Sequence, residues 1–179
     1  PCDQVDEIAD GQYVERGTGT RLTQIVAKMS KSLKNVINPD DIIAEYGADT
    51  FRLYEMSMGP LEASKPWNTK DIVGSFRFLQ RLWRNVVDET TGKVRVSTDT
   101  PSGEVEKKLH RLIAGVAADI ENLSLNTAIA KLMEFNNDLT KLAASAPVPI
   151  SVLRRLLVIL SPFCPHIADE LWPRLGLQG

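Results

Sequence analysis

The chain has 179 residues, is 43% hydrophobic and 25% charged, and carries 21 basic against 23 acidic side chains. That composition lies in the soluble globular range and is enough to bury one core with an appendage, which excludes a disordered or fibrous chain. Near-neutral charge also excludes a nucleic-acid argument resting on net charge, so any such argument must come from local clusters. The longest apolar stretches, Val152-Leu153 and Leu156 to Leu160, are interrupted by Arg154 and Arg155 and fall short of a membrane span. The opening Pro1-Cys2-Asp3-Gln4-Val5-Asp6-Glu7 has neither an initiator Met nor a signal-peptide pattern and reads as a cut from a longer protein. Cys2, Cys164, His110 and His166 offer no zinc-ligand spacing and no disulfide framework, so the expectation is reduced cytosolic thiols and no metal site.

In chain order, residues 1–27 hold Gly11, Gly17 and Gly19 beside β-prone pieces, Gln12-Tyr13-Val14 and Leu22 to Val26, which predict small strands. At Asn38-Pro39-Asp40-Asp41 a cap, a first-turn proline and two acids at the positive end of a helix dipole predict a short helix to about Tyr46. Gly47 suits a left-handed end to that helix, and Asp49 or Thr50 suits the cap of the next, through Met56. Pro60 and Pro66 mark an ordered linker, and the domain boundary is placed there.

From Thr69 to about Asp88 the set Ile72, Phe76, Leu79, Trp83 and Val86 or Val87 recurs at helical spacing. A polar connector over 90–102 precedes two more helical patterns, through Leu109, Leu112, Ile113, Val116 and Ile120, and through Ile129, Leu132, Met133, Asn136 and Leu139. Pro147 and Pro149 break the chain before a helix from Val152 to Leu160, and Pro162 and Pro165 bracket a kink before a last turn through Ile167, Leu171 and Trp172. The predicted fold is mainly α, an antiparallel bundle of four or five helices preceded by a loop segment with short strands. The expected divisions are 1–27, 28–60 and 61–179.

Lys28-Met29-Ser30-Lys31-Ser32 places two ammonium groups three residues apart with hydroxyls beside them, in a segment with no strong helix or strand pattern. Such a loop suits polyphosphate, because lysine is a compact cation and hydroxyls and backbone N–H groups add donors without bulk. Five such residues alone are more often a solvated surface loop. Their surroundings carry further information: Leu33-Lys34-Asn35-Val36-Ile37-Asn38-Pro39-Asp40-Asp41, then Tyr46-Gly47-Ala48-Asp49-Thr50-Phe51-Arg52. That run resembles the class I aminoacyl-tRNA synthetases of the leucyl, isoleucyl and valyl branch. Leu53 to Pro60, Lys65-Pro66-Trp67-Asn68 and Pro162 to Trp172 look leucyl rather than isoleucyl or valyl. The resemblance is dense over 28–88 and 156–176 and thin elsewhere. One departure is that Leu33-Lys34 precede Asn35 where many relatives have a basic residue and glycine.

The resemblance implies that ATP is a substrate, with Mg2+ expected in the intact enzyme, that leucine is activated as an adenylate, and that tRNA-Leu receives it. Lys31 and Lys28 would be catalytic, and Lys28, Met29, Ser30, Lys31 and Ser32 would form the ATP-binding loop. The family also requires an N-terminal pair of closely spaced histidines, which this chain lacks, so the fragment alone is expected to be inactive and to hold no cofactor tightly. A cytoplasmic protein without membrane contact is expected, and a monomer, with self-association expected only through apolar surfaces that truncation would expose.

Arg77, Arg81 and Arg84 fall at i, i+4 and i+7 and form a basic stripe. The stripe can track RNA phosphates or be a solvated face paired with acids; the resemblance to a tRNA-stem-holding helical domain favours tRNA. Trp67, Trp83 and Trp172 are expected in packing, His166 as a structural hydrogen-bonding residue, and Asp49 and Arg52 as caps or ion-pair members. Rival readings are a valyl or isoleucyl relative, a freestanding helical tRNA-binding module, and a purely structural helical domain.

Overall fold

In the computed structural model the described residues are 4–178; Cys2, expected as a reduced thiol, lies outside them. Two compact units divide the chain, one up to Asp41 and one from Ile42 onward. The first holds an antiparallel three-stranded sheet of β1 (Val5–Ala9), β2 (Gln12–Glu15) and β3 (Arg21–Leu22). Its register pairs Glu7 with Tyr13 and Tyr13 with Leu22, with an irregularity between Glu7 and Ala9. Strand β1 was not foreseen, because Asp6 and Glu7 dilute its apolar pattern. The expected strand over Leu22 to Val26 is corrected: after Leu22 the chain leaves the sheet, and Ile25 and Val26 stand 77% and 83% exposed. None of the described side chains from 4 to 41 is fully buried.

Helix α1 (Pro39–Tyr46) begins where the sequence places it, with Asn38 Oδ1 accepting from Asp40 N at 3.3 Å. Gly47 links it to α2 (Ala48–Ser57) at φ 87°, ψ 154°, a region essentially reserved for glycine. No side chain caps α2, so the expectation of a cap from Asp49 or Thr50 is corrected. Both lie inside the helix and are buried, and Asp49 serves a different helix.

The linker after Pro60 is held at fixed points. Lys65 Nζ donates to Gly59 O at 2.7 Å, and the Tyr54 hydroxyl donates to Asn68 O and accepts from Asn68 N. Trp67 meets the Tyr54 ring edge-on at 4.9 Å. A single 3-10 turn, Thr69–Asp71, leads into α3 (Ile72–Val86).

The core-facing side of α3 is Ile72, Ser75, Phe78, Leu82, Asn85 and Val86, while Phe76, Leu79 and Trp83 are only half-buried. This rotates the expected apolar face. The reason is that two of the inward positions, Ser75 and Asn85, are polar and drop out of an apolar count. Asn85 is admitted because its Nδ2 donates to Asn136 Oδ1 at 2.9 Å and to Thr140 Oγ1 at 3.0 Å. Asn136 donates onward to Phe78 O.

Helices α4 (Gly103–Glu121) and α5 (Leu125–Ser145) form a hairpin across a three-residue connection, 122–124. Ser102 caps α4 by accepting from Val105 N. A two-residue parallel pairing joins β4 (Val96–Ser97) to β5 (Val148–Pro149), after which come α6 (Ile150–Leu160) and α7 (Pro165–Arg174). The core runs through Leu53, Phe78, Leu82, Leu109, Leu132, Leu153, Leu157, Leu160 and Phe163. Each such side chain contributes about 1.5–3 kcal/mol by leaving water. The molecule is thus mainly helical, and no helix of the described residues is long and apolar enough to cross a membrane.

Candidate functional site

The loop 28–35 has no regular structure and holds its shape through side chains. Ser30 N donates to Asn35 Oδ1 at 2.8 Å, and Asn35 Nδ2 donates to Lys28 O at 3.4 Å. Ser30 Oγ accepts from Leu33 N at 3.3 Å and shares a hydrogen bond with Ser32 Oγ at 3.2 Å. Lys34 N donates to Lys31 O at 3.2 Å, closing a turn in which Lys34 takes φ 51°. That left-handed backbone falls at Lys34, where the resemblance to the family leads one to expect glycine. Lys28 and Lys31 are exposed, Met29 is 42% exposed and Ser30 is half-buried. Among the described residues neither lysine has an ion-pair partner, so both ammonium groups face solvent and are open to an anion.

The hydroxyls differ in what they offer. Ser30 Oγ accepts from Leu33 N and is also hydrogen-bonded to Ser32 Oγ, so the two hydroxyls share one O–H between them and leave one for another acceptor. No group of three or more His, Cys, Asp or Glu among the described residues is placed to hold a metal ion.

On α3, Arg77, Arg81 and Arg84 all lie on the exposed side. Arg84 Nε reaches Glu89 Oε1 at 3.1 Å, while Arg77 and Arg81 form no ion pair among the described residues. Arg174 of α7 lies over the Trp83 ring, 5.3 Å from its centroid, and also pairs with Glu170 at 2.6 Å. Trp83 and Trp172 pack against the core, as the sequence suggested for tryptophans at these positions.

The motifs at 46–52 and 162–172 prove to be two halves of one clasp. Asp49 accepts from His166 N at 3.3 Å, Ile167 N at 2.8 Å and His166 Nδ1 at 2.8 Å, capping α7 from across the bundle. Arg52 donates to Phe163 O at 3.2 Å and Pro162 O at 2.8 Å. Cys164, fully buried between them, has its thiol pushed far up by burial and then by the Asp49 charge, which leaves it a packing residue. Asp49, Arg52 and His166 therefore do structural work.

Two family models match the chain. "tRNA synthetases class I (I, L, M and V)" matches residues 22–65, and "Anticodon-binding domain of tRNA ligase" matches residues 103–178. Residues 66–102, with the α3 arginines, lie between them. A leucine–tRNA ligase of Saccharopolyspora erythraea is 52% identical over 179 residues, the whole of this chain and 18% of the relative. The chain is a homologue of the leucine–tRNA ligases. A Streptomyces avermitilis leucine–tRNA ligase is 53% identical over 176 residues, 98% of this chain and again 18% of its own length. A solved Agrobacterium radiobacter K84 LeuRS, in a ternary complex with tRNA and LeuAMS, superposes with a TM-score of 0.72 at 30% identity. It covers 85% of this chain, which corresponds to 21% of that structure. The chain thus spans about a fifth of the length of the relatives it matches.

Sequence reasoning missed Asn35 as the residue that shapes the loop. The available signal was its place at the end of the motif, since asparagine can offer donor and acceptor together to a backbone segment that lacks a strand partner.

Proposed function

We propose that this chain is part of a leucine–tRNA ligase that activates leucine with ATP and transfers it to tRNA-Leu in the cytoplasm. The observation that carries the reading is the loop itself: two unpaired lysines held on a hydrogen-bonded turn, in a chain 52% identical to a leucine–tRNA ligase along its whole length. In the reaction the leucine carboxylate attacks the α-phosphorus of ATP, forming an acyl–phosphate bond as the bond to pyrophosphate breaks. The adenylate then esterifies the terminal ribose of the tRNA and releases AMP.

Negative charge shifts onto the α- and β-phosphate oxygens in the first step. Lys31, with Lys28 beside it, stabilises that charge, and Ser30 and Ser32 order and extend the donor set; the packing role the resemblance implies for Met29 is not made within this chain, where its side chain is exposed. A preorganised donor of this kind is worth about 3–4 kcal/mol of barrier, roughly a hundred- to thousand-fold in rate. Mg2+ bound with ATP would supply further neutralisation of phosphate charge, and among the described residues none is assigned to hold it.

The α3 stripe of Arg77, Arg81 and Arg84 is read as the surface that follows tRNA phosphates, giving salt-sensitive affinity with little base information. Exposed Ile8, Ile25, Val26, Leu33 and Val36 in the first unit fit a segment that packs against further parts of the ligase and that self-associates when they are missing.

The test is leucine-dependent ATP–pyrophosphate exchange by the full-length ligase carrying this chain. Lys31→Ala is expected to lower the rate roughly a hundred- to thousand-fold, and the 179-residue chain alone should give only background. Wild-type rates in Lys31→Ala would defeat the assignment of the loop.

A further inference from the structure

We propose that Asn35 is a positioning residue of the phosphate loop, fixing the backbone on both sides of Met29 so that Lys31 is presented before ATP arrives. The inference rests on the nucleotide-loop reading above and deepens it. A loop without helix or strand has no ladder to hold its peptide groups, so Lys28 C=O and Ser30 N–H would otherwise turn freely in water. Asn35 meets both, accepting from Ser30 N at 2.8 Å and donating to Lys28 O at 3.4 Å. One planar carboxamide supplies a donor and an acceptor at fixed separation, which neither a carboxylate nor a hydroxyl reproduces in that geometry.

Asn35 reaches back because of the residue before it. Lys34 at φ 51° reverses the chain, its N–H closes on Lys31 O, and Leu33 N–H closes on Ser30 Oγ. The outcome is a ring of side-chain and backbone bonds from 28 to 35, with Lys31 at the turn and its ammonium exposed. Asn35 touches no reacting atom in this arrangement; it acts through the placement of Lys28, Ser30 and Lys31. A lysine displaced by about 1 Å from a developing charge loses a large part of its effect, on the order of a hundredfold at the limit.

The experiment compares wild type, Asn35→Ala and Asn35→Asp in the full-length ligase by leucine-dependent ATP–pyrophosphate exchange, with amide hydrogen exchange read at Ser30. Asn35→Ala is expected to lower kcat about tenfold, leave the leucine KM within about twofold, and speed exchange at the Ser30 amide. Asn35→Asp keeps the acceptor for Ser30, so its Ser30 amide should still be protected, but it sets a carboxylate against Lys28 O, so its kcat should still fall. A kcat within about twofold of wild type in both variants overturns the proposal. A wild-type ligase with no leucine-dependent exchange instead removes the nucleotide-loop reading on which the proposal stands.

Discussion

The carboxylate of Asp49, on the first turn of α2, receives the Ile167 amide of α7 at 2.8 Å across a sequence separation of 118 residues. It also receives His166 N and its ring Nδ1, while remaining only 7% exposed. One acid thus satisfies orphan donors of a helix that begins with Pro165 and has no side-chain cap of its own.

Removing that acid leaves the part-buried His166 and Ile167 amides without their acceptor. Asp49→Ala is expected to destabilise the chain by about 2–3 kcal/mol in urea unfolding, and Asp49→Asn, which keeps an acceptor, by about 1 kcal/mol. A loss below about 0.5 kcal/mol for the alanine variant would show that water replaces the cap.

The Asn85–Asn136 pair should behave as a coupled unit. Asn136→Ala strips Asn85 of one acceptor and is expected to cost about 1–3 kcal/mol. A double-mutant cycle with Asn85→Ala should show a coupling of about 0.5–1.5 kcal/mol, and additivity would mean the two amides act separately.

Three carboxyls are held below their ordinary values, 3.8 for Asp and 4.5 for Glu. Hydrogen bonding by Arg155 lowers Glu106, the Thr91 N–H lowers Asp88, and the Lys131 ammonium at 2.6 Å lowers Asp119. A folded-state value below the unfolded one makes the unfolded chain bind more protons as acid is added. Stability from these groups is therefore complete above the ordinary values and lost as pH falls through them and below. The urea midpoint should drop between pH 6 and pH 3, and Glu106→Gln should flatten part of that drop; an identical slope would show that the Arg155 pair contributes nothing.

Binding of tRNA-Leu to this chain, followed by fluorescence anisotropy over a range of salt, should weaken as salt rises. Arg77→Ala and Arg81→Ala are each expected to reduce the salt slope by about one. Arg84→Ala should reduce it less, because Glu89 already competes for that guanidinium at 3.1 Å. Equal slopes for all variants would place the tRNA on another face.

Lys34 offers a backbone test of the loop. At φ 51° a side chain costs about 1–2 kcal/mol that glycine does not incur, and a β-branched residue is far worse. Lys34→Gly should preserve ATP–pyrophosphate exchange in the full-length ligase, whereas Lys34→Val should reduce it. Equal activity in the two variants would mean the left-handed turn is not needed.

The sequence by itself determined what depends on neighbours along the chain. The cap at Asn38, the glycine hinge at 47, the prolines bounding the linker and α6, and the lysine spacing in the loop all follow from local sterics and charge. They carried the helical class, while the loop's identity rested on the resemblance of the longer run around it to a family motif. The tertiary structure alone decided which face of α3 turns inward, because the buried Asn85 is admitted only by Asn136 and Thr140 on α5. It alone showed that Asp49 caps α7 and that Arg52 meets the carbonyls of Pro162 and Phe163 between α6 and α7, since a partner more than a hundred residues away leaves no periodic trace in sequence. It also decided that β3 ends at Leu22, where an apolar stretch outruns its pairing partner. Local rules choose the elements; whether a polar group can be buried depends on a partner that only the folded chain brings within reach.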